Sequence, residues 1–372
     1  MKKNKELKEI AKLFFKLGSI AFGGPAAHVA MMEDEVVKKR KWMTHDHFLD
    51  LLGATNLIPG PNSTEMTMHC GYERAGWKGL IVAGFSFIFP AVLITSIFAW
   101  LYVTYGQLPE VEPYIYGIKP GVIAIIISAV YSLSKKALKS LELGVLGFIT
   151  VIVCLIGVNE IFALFGCGII GLIWYKIKNS TNNINSFFPL LLLQATSSTI
   201  GNLKIFLAFL KVGAILYGSG YVLFAFLDAE LVMKGLLTRS ELIDAIAVGQ
   251  FTPGPILSTA TFIGWQMNGF LGALVATIGI FLPSFIFVLV LNPLIPKLRN
   301  SKPMAAFLDA VNIAAVAVIF AVCIEMGKET LIDWRTIVIA VSSFAMLFVF
   351  KKINSAFIVA GSALLGYFLF LF

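Results

Sequence analysis

Two stretches of this chain, 194 residues apart, read Pro-Gly-Pro inside otherwise apolar sequence: Pro59-Gly60-Pro61 and Pro253-Gly254-Pro255. Proline gives a helix no N–H and disfavours helix in the residue before it. Each motif therefore interrupts a helix and leaves backbone groups to be satisfied elsewhere. The solvent decides what that means. The chain is 58% hydrophobic, with a mean hydropathy of +0.87 and 13% charged residues, against roughly a quarter charged in a soluble domain. Its medium is a bilayer, where irregular backbone is tolerated only if protein buries it or it lines a wet cavity.

Aligning the two motifs brings much else into register. Lys16, Gly18 and Gly23 match Lys211, Gly213 and Gly218 at an offset of 195. Thr44 and Asp50 match Thr238 and Asp244 at 194, and Gly71, Gly79 and Pro90 match Gly264, Gly272 and Pro283 at 193. Ordered matches with a slowly drifting offset mark an internal duplication. Residues 1–178 read as a first repeat, 179–203 as a linker rich in Asn, Ser and Thr, and 204–372 as a second repeat.

Apolar runs near the ~20 residues needed to cross hydrocarbon lie at 79–104, 118–134, 141–157, 160–175, 270–292, 306–326, 336–350 and 354–372, with less uniform runs at 13–32 and 205–227. If 13–32 crosses once, the basic loops holding Lys38, Lys39, Arg40, Lys41, Arg74, Lys78, Lys135, Lys136, Lys139, Lys176, Lys178 and Lys204 fall on the cytoplasmic side, as the positive-inside rule asks. Five crossings per repeat then invert the second copy, which keeps Lys297, Arg299, Lys302, Lys351 and Lys352 inside. The N-terminal lysines, Lys2 to Lys12, land outside in that scheme, unless they lie on an interfacial amphipathic helix or 13–32 forms a hairpin. The expected fold is an all-α polytopic membrane protein. It has two inverted repeats of about five transmembrane helices each, plus a re-entrant half-helix pair broken by Pro-Gly-Pro in each repeat.

Proline fits the first turn of a helix, so Pro61 and Pro255 open new half-helices. Their free N–H groups lie near Asn62, Ser63 and Thr64, and near Ile256, Leu257 and Ser258. A helix start carries partial positive charge, and two starts facing across a pseudo-two-fold axis at the midplane form the arrangement by which secondary transporters hold anions. The apolar runs break again at Gly23-Gly24-Pro25 and Gly218-Ser219-Gly220, which serves either close backbone approach to a ligand or close helix packing. Asn56 and Gln250 stand just before the Pro-Gly-Pro breaks, to donate to a substrate or to satisfy freed backbone. The substrate-binding candidates are thus Gly23, Gly24, Asn56, Pro59, Gly60, Pro61, Asn62, Ser63, Thr64, Gly218, Gly220, Gln250, Pro253, Gly254 and Pro255.

Ionisable residues near the breaks are few. Lys16 and Lys211 either attract an anion or snorkel to headgroups. Asp50 and Asp244, nine residues before each Pro-Gly-Pro, are candidates to carry a coupling proton or to cap a half-helix. Glu65 is a further proton-carrier candidate, and an asymmetric one, because its counterpart is Thr259.

Other chemistries find no support. Cys70, Cys154, Cys167 and Cys323 are scattered without C-x-x-C spacing, which predicts structural burial. His45 and His47 lie two apart and His69 follows the half-helix, and nothing in this spacing supplies the third ligand and second shell that a metal site needs. No catalytic triad order, H-E-x-x-H, phosphate-binding loop or dinucleotide fingerprint is present, so neither an enzyme nor ATP use is expected, and no cofactor. The net charge of +8 sits in short loops, where it reports orientation, with no basic and aromatic interleaving for nucleic acid. The N-terminus carries no cleavable signal pattern.

These residues resemble a known family. Phe22-Gly23-Gly24-Pro25 with His28, the stretch from Pro59 through Glu65 to Gly71-Tyr72 and Arg74-Ala75-Gly76, and Phe87-Ile88-Phe89-Pro90 are similar to motifs of the CHR chromate transporters. So are Lys211-Val212-Gly213, Tyr217-Gly218-Ser219-Gly220-Tyr221, Gln250, Pro253-Gly254-Pro255, Gly264 and Phe281-Leu282-Pro283-Ser284 in the second half. The resemblance covers nearly the whole chain, in the family's two-domain form. Ser219 stands where members usually carry glycine, and Leu236-Leu237-Thr238 lacks a tryptophan often seen before that threonine. The resemblance implies a secondary-active exporter of chromate in the bacterial plasma membrane. Its partners are the lipid bilayer and a small oxyanion, with a coupling proton or counter-anion and a homodimer left open. The alternative is an exporter or exchanger of another small anion, such as sulfate or an organic metabolite; a membrane-embedded enzyme and a structural scaffold are the remaining classes.

Overall fold

A computed structural model describes residues 2–22, 24–106, 108–179, 201–217, 220–291, 301–350 and 353–371. Gly23, Gly218, Ser219, most of the linker, and the basic residues Lys297, Arg299, Lys351 and Lys352 lie outside the described residues. Every described element is helical.

The first repeat opens with α1 (Lys2–Ile20) and α2 (Gly24–Glu33), the latter continuing as a π-helical turn over Asp34–Lys39. It goes on through α3 (His45–Thr55), α4 (Asn62–Tyr105), α5 (Glu112–Ala137), α6 (Leu141–Leu155) and α7 (Glu160–Asn179). The second repeat follows the same plan: α8 (Asn202–Ile215), α9 (Val222–Leu227) with a π-helical turn over Asp228–Val232, α10 (Arg239–Phe251), α11 (Thr259–Leu291), α12 (Lys302–Thr330), α13 (Trp334–Val349) and α14 (Ser355–Phe370).

Matched residues in the repeats do matched jobs. Thr44 caps α3 and Thr238 caps α10, each accepting a backbone N–H with its side chain. The long helices α4 and α11 each bend back sharply near their starts, at Ala75-Gly76 and Asn268-Gly269, where Gly76 (φ +64°, ψ −154°) and Gly269 (φ +58°, ψ −150°) hold conformations open essentially to glycine alone. The chain then runs antiparallel to itself. A Cβ on Gly71 would overlap the Gly79 carbonyl, and one on Gly264 the Gly272 carbonyl, although in a straight helix residues eight apart are about 12 Å apart. Asn62 to Arg74 is therefore a short arm folded against the rest of α4.

Reciprocal contacts join the repeats. Helix α1 packs on α4 as α8 packs on α11, and α4 crosses α11. Helix α5 lies against α13 and α14 of the other repeat, and α12 lies against α6 and α7. Small residues make the close contacts: Gly117 meets Gly366, and Gly171 meets Ala310. Among the described residues five helices, α4, α5, α7, α11 and α12, are long and apolar enough to cross a membrane. Trp77, Ile81, Phe85, Phe89, Leu93 and Ile97 recur every fourth residue along α4 and stay exposed, a stripe suited to lipid rather than water.

The runs 13–32 and 205–227 are each split between two helices: α1 ends at Ile20 and α8 at Ile215, with a break before α2 and α9. The N-terminal lysines belong to α1, whose opposite face buries Ile10, Leu13, Phe14 and Leu17. It is an amphipathic helix, and an apolar run by itself does not report one continuous helix.

Candidate functional site

The Pro-Gly-Pro motifs and the glycine-rich breaks are tied together, crosswise between the repeats. The Gly60 N–H donates to the Leu216 carbonyl at 2.7 Å, and the Gly254 N–H donates to the Ala21 carbonyl at 2.9 Å. These are the same bond made twice across the pseudo-two-fold. Gly60 has φ +143° and Gly254 φ +89°, so both bends need glycine. A Cβ on Gly254 would meet Ala91 Cβ at 2.9 Å and the Gly18 carbonyl at 3.1 Å, and one on Gly220 would meet Ile256 at 2.8 Å.

Beyond each bend a helix starts without a side-chain cap, α4 at Asn62 and a short helical turn at Ile256 that leads into α11. The Thr64 and Glu65 N–H groups bond the Pro61 carbonyl, and the Ser258 N–H bonds the Pro255 carbonyl. The matched hydroxyls of Thr64 and Ser258 are fully buried and have no hydrogen-bond partner among the described residues. An unpaired buried hydroxyl costs roughly 1–3 kcal/mol. The same unpaired hydroxyl stands at the same point of both repeats.

The remaining candidates separate. Pro59, Pro61, Ser63, Pro253 and Pro255 are buried, as is Gln250, whose Nε2 has no partner among the described residues. Asn56 accepts a bond from Asn62 Nδ2 at 2.8 Å and donates to the Leu52 carbonyl, so the pair satisfies local backbone and each other. Gly24 opens α2. Asp50 is exposed on α3, whereas Asp244 is 5% exposed on α10, accepts from the Tyr102 hydroxyl at 2.7 Å and lies 3.5 Å from Lys119 Nζ. Glu65 is fully buried behind Gly60, where a Cβ on that glycine would overlap its carboxyl and lie 2.6 Å from Ser284 Oγ.

Lys16 and Lys211 stand in matched ion pairs, Lys16 with Glu35 at 3.5 Å and Lys211 with Glu230. Lys39, at the end of the first π-helical turn, and Lys234, two residues past the second, join the same two carboxylates. Burial works to raise the Glu35 carboxyl, but the Arg40 guanidinium and Lys39 beside it outweigh that and hold it below the usual glutamate value. His45 pairs with Glu33 at 3.2 Å and His47 with Glu73 at 3.0 Å. Cys70, Cys167 and Cys323 are buried, and Cys154 is partly so.

Sequence reasoning missed three groups. Glu35 and Glu230 recur at the offset of 195 already seen for the lysines, as do Lys39 and Lys234, so that signal was there to be read. Ser284 and Tyr217 reach Glu65 only through tertiary packing. His28 Nε2 donates to the Ala21 carbonyl at 2.9 Å, the same carbonyl that takes the Gly254 N–H.

Comparison with known proteins agrees with the duplication. The profile of the chromate transporter family matches residues 8–172 and again 203–367. The chain is similar to a chromate transport protein of Cupriavidus metallidurans, 30% identical over 97% of this chain and 92% of the relative. A probable chromate transport protein of Synechococcus elongatus is 30% identical over 97% and 95%, and a chromate transport protein of Pseudomonas aeruginosa 26% identical over 96% and 91%. No solved structure matches the chain.

Proposed function

The chain belongs to the chromate transporter family, and from that premise we propose that it exports an oxyanion, chromate first, across the cell membrane by secondary transport. The observation that carries this reading is the doubled helix start. Two uncapped starts, each with a buried unpartnered hydroxyl, are tied across the repeats by the Gly60 and Gly254 bonds. Helix-start N–H groups and hydroxyls are donors placed for negative charge, and a tetrahedral dianion offers acceptors on every side. On this reading Asn62, Ser63, Thr64, Ile256, Leu257 and Ser258 supply the donors, while Pro59, Pro61, Pro253 and Pro255 fix where the helices begin.

The second repeat is inverted relative to the first, and the arms from Asn62 and Ile256 are re-entrant, so the starts face one another near the midplane. Lys16 and Lys211, already paired, contribute to local potential rather than contact. Leaving a cytoplasm that is negative inside, a dianion gains about 2.3 kcal/mol per charge per 100 mV, about 4.6 kcal/mol in all, so export needs no ATP.

The test uses purified protein in liposomes with labelled chromate and labelled sulfate, varying potential and pH separately. Potential-driven chromate flux is expected, with sulfate as competitor because the donors read shape and charge. Thr64→Val combined with Ser258→Ala should lower the flux about tenfold or more, a barrier change of ~1.4 kcal/mol. It should not weaken the fold, since the removed hydroxyls are unpaired. Unchanged flux in that double variant would sink the assignment; flux of organic acids in place of chromate would move it to the alternative substrate class.

A further inference from the structure

The two Pro-Gly-Pro bends are built alike except for what stands behind the glycine. Behind Gly60 lie Glu65 and Ser284, while the counterparts in the repeat alignment are Thr259 and Ala91. Thr259 spends its hydroxyl on the Ile256 carbonyl at 2.8 Å. Glu65 has no such outlet. It is fully buried, and neither carboxyl oxygen has an aligned hydrogen-bond partner among the described residues.

Among those residues it forms no ion pair with a lysine, arginine or histidine. Ser284 of α11 approaches its carboxyl closely enough to interact, and Tyr217, in the break after α8, is the titratable group that faces it from another element. His69 follows one turn along its own helix. An ionised carboxylate in such a place lacks both water and a partner, which is costly. It also sits in the first turn of the helix whose start is read as the anion site, where a bound dianion would repel it. A neutral acid removes both costs and adds an O–H donor beside the bend.

We infer that Glu65 is a proton site linked to oxyanion binding. The carboxylate takes a proton from water as the anion settles and returns it to water when the anion leaves, so one proton travels with each anion and the net charge carried outward falls from two to one. Only the first repeat has the acid, so one proton serves both helix starts. This rests on the reading of the Pro-Gly-Pro starts as the anion site.

The experiment uses the full chain in detergent and weak buffer, with sulfate as the probe because chromate itself takes up protons near neutrality. Binding of labelled sulfate is measured across pH, and proton uptake is followed with an indicator dye as sulfate is added. Wild type should bind sulfate more tightly as pH falls, up to about tenfold per unit for one linked proton, with net proton uptake. Glu65→Gln should bind with a flat pH profile and no uptake. Sulfate binding by wild type without uptake and with a flat profile overturns the inference, and this arm decides even if the variant fails to fold. Retention of both effects in a folded Glu65→Gln also overturns it. If folded wild type binds neither sulfate nor chromate at any pH, the anion-site reading itself fails and this one falls with it, an outcome distinct from binding without a proton.

Discussion

At the scale of single residues, the Pro-Gly-Pro glycines differ from ordinary helical glycines in what surrounds them. Gly53 on α3 has nothing within 4 Å of a built Cβ, whereas a Cβ on Gly60 would overlap Glu65 at a φ that strains any other residue. Gly60→Ala is expected to cost about 1–3 kcal/mol in the bend and to displace Glu65, abolishing most transport. Gly53→Ala should leave transport intact and raise stability by up to about 1 kcal/mol through helix propensity. Thermal melts with liposome flux on both variants check this; equal behaviour of the two would remove the special status of Gly60. The need for glycine at positions 60 and 254 was readable from the motif. That the Gly60 N–H is spent on Leu216 was not, because a carbonyl 156 residues away is brought close only by packing.

At the scale of elements, the π-helical turns after α2 and α9 each bring a glutamate between two lysines. The copies differ in burial: the Lys16 side chain is 58% exposed and Lys211 22%, against 9% for Glu35 and 4% for Glu230. An exposed pair contributes about 0–1 kcal/mol, while breaking a buried one costs several. Lys211→Ala should therefore destabilise the protein by about 2 kcal/mol or more, and Lys16→Ala by less than about 1 kcal/mol, read as shifts in melting temperature. Equal shifts would contradict the burial argument.

The first cluster also carries a pH dependence. Glu35 is held below the ordinary glutamate value of 4.5, so its contribution is present above that value and is lost as pH falls through the lower folded-state value. Melting temperature should drop on acidification below that range, and Glu35→Gln should remove that part of the drop.

At the scale of the whole molecule, the repeats hold each other up. The last helices of each repeat cover the long middle helix of the other, α13 and α14 on α5, α6 and α7 on α12. One apolar core draws on both repeats, while a second lies wholly within the first repeat, from Ile10 to Phe87. Cut between residues 178 and 204, the two halves should co-purify and transport when expressed together, and each alone should be degraded, its middle helix left uncovered. Stable, separately purified halves would contradict the crosswise packing.

The sequence by itself determined the helical class, the duplication, the bilayer as solvent, and the two places where a helix must break. All four follow from local chemistry, through proline geometry, glycine freedom and apolar run length. It left open how the 13–32 run and its counterpart at 205–227 are built, because hydropathy records the solvent around a segment and not whether one helix fills it. Only the tertiary structure decided which break meets which bend, that the matched lysines answer to Glu35 and Glu230, and that Glu65 lies buried with Ser284. Those are contacts between segments distant along the chain, and their partners are chosen by packing rather than by anything either segment carries alone.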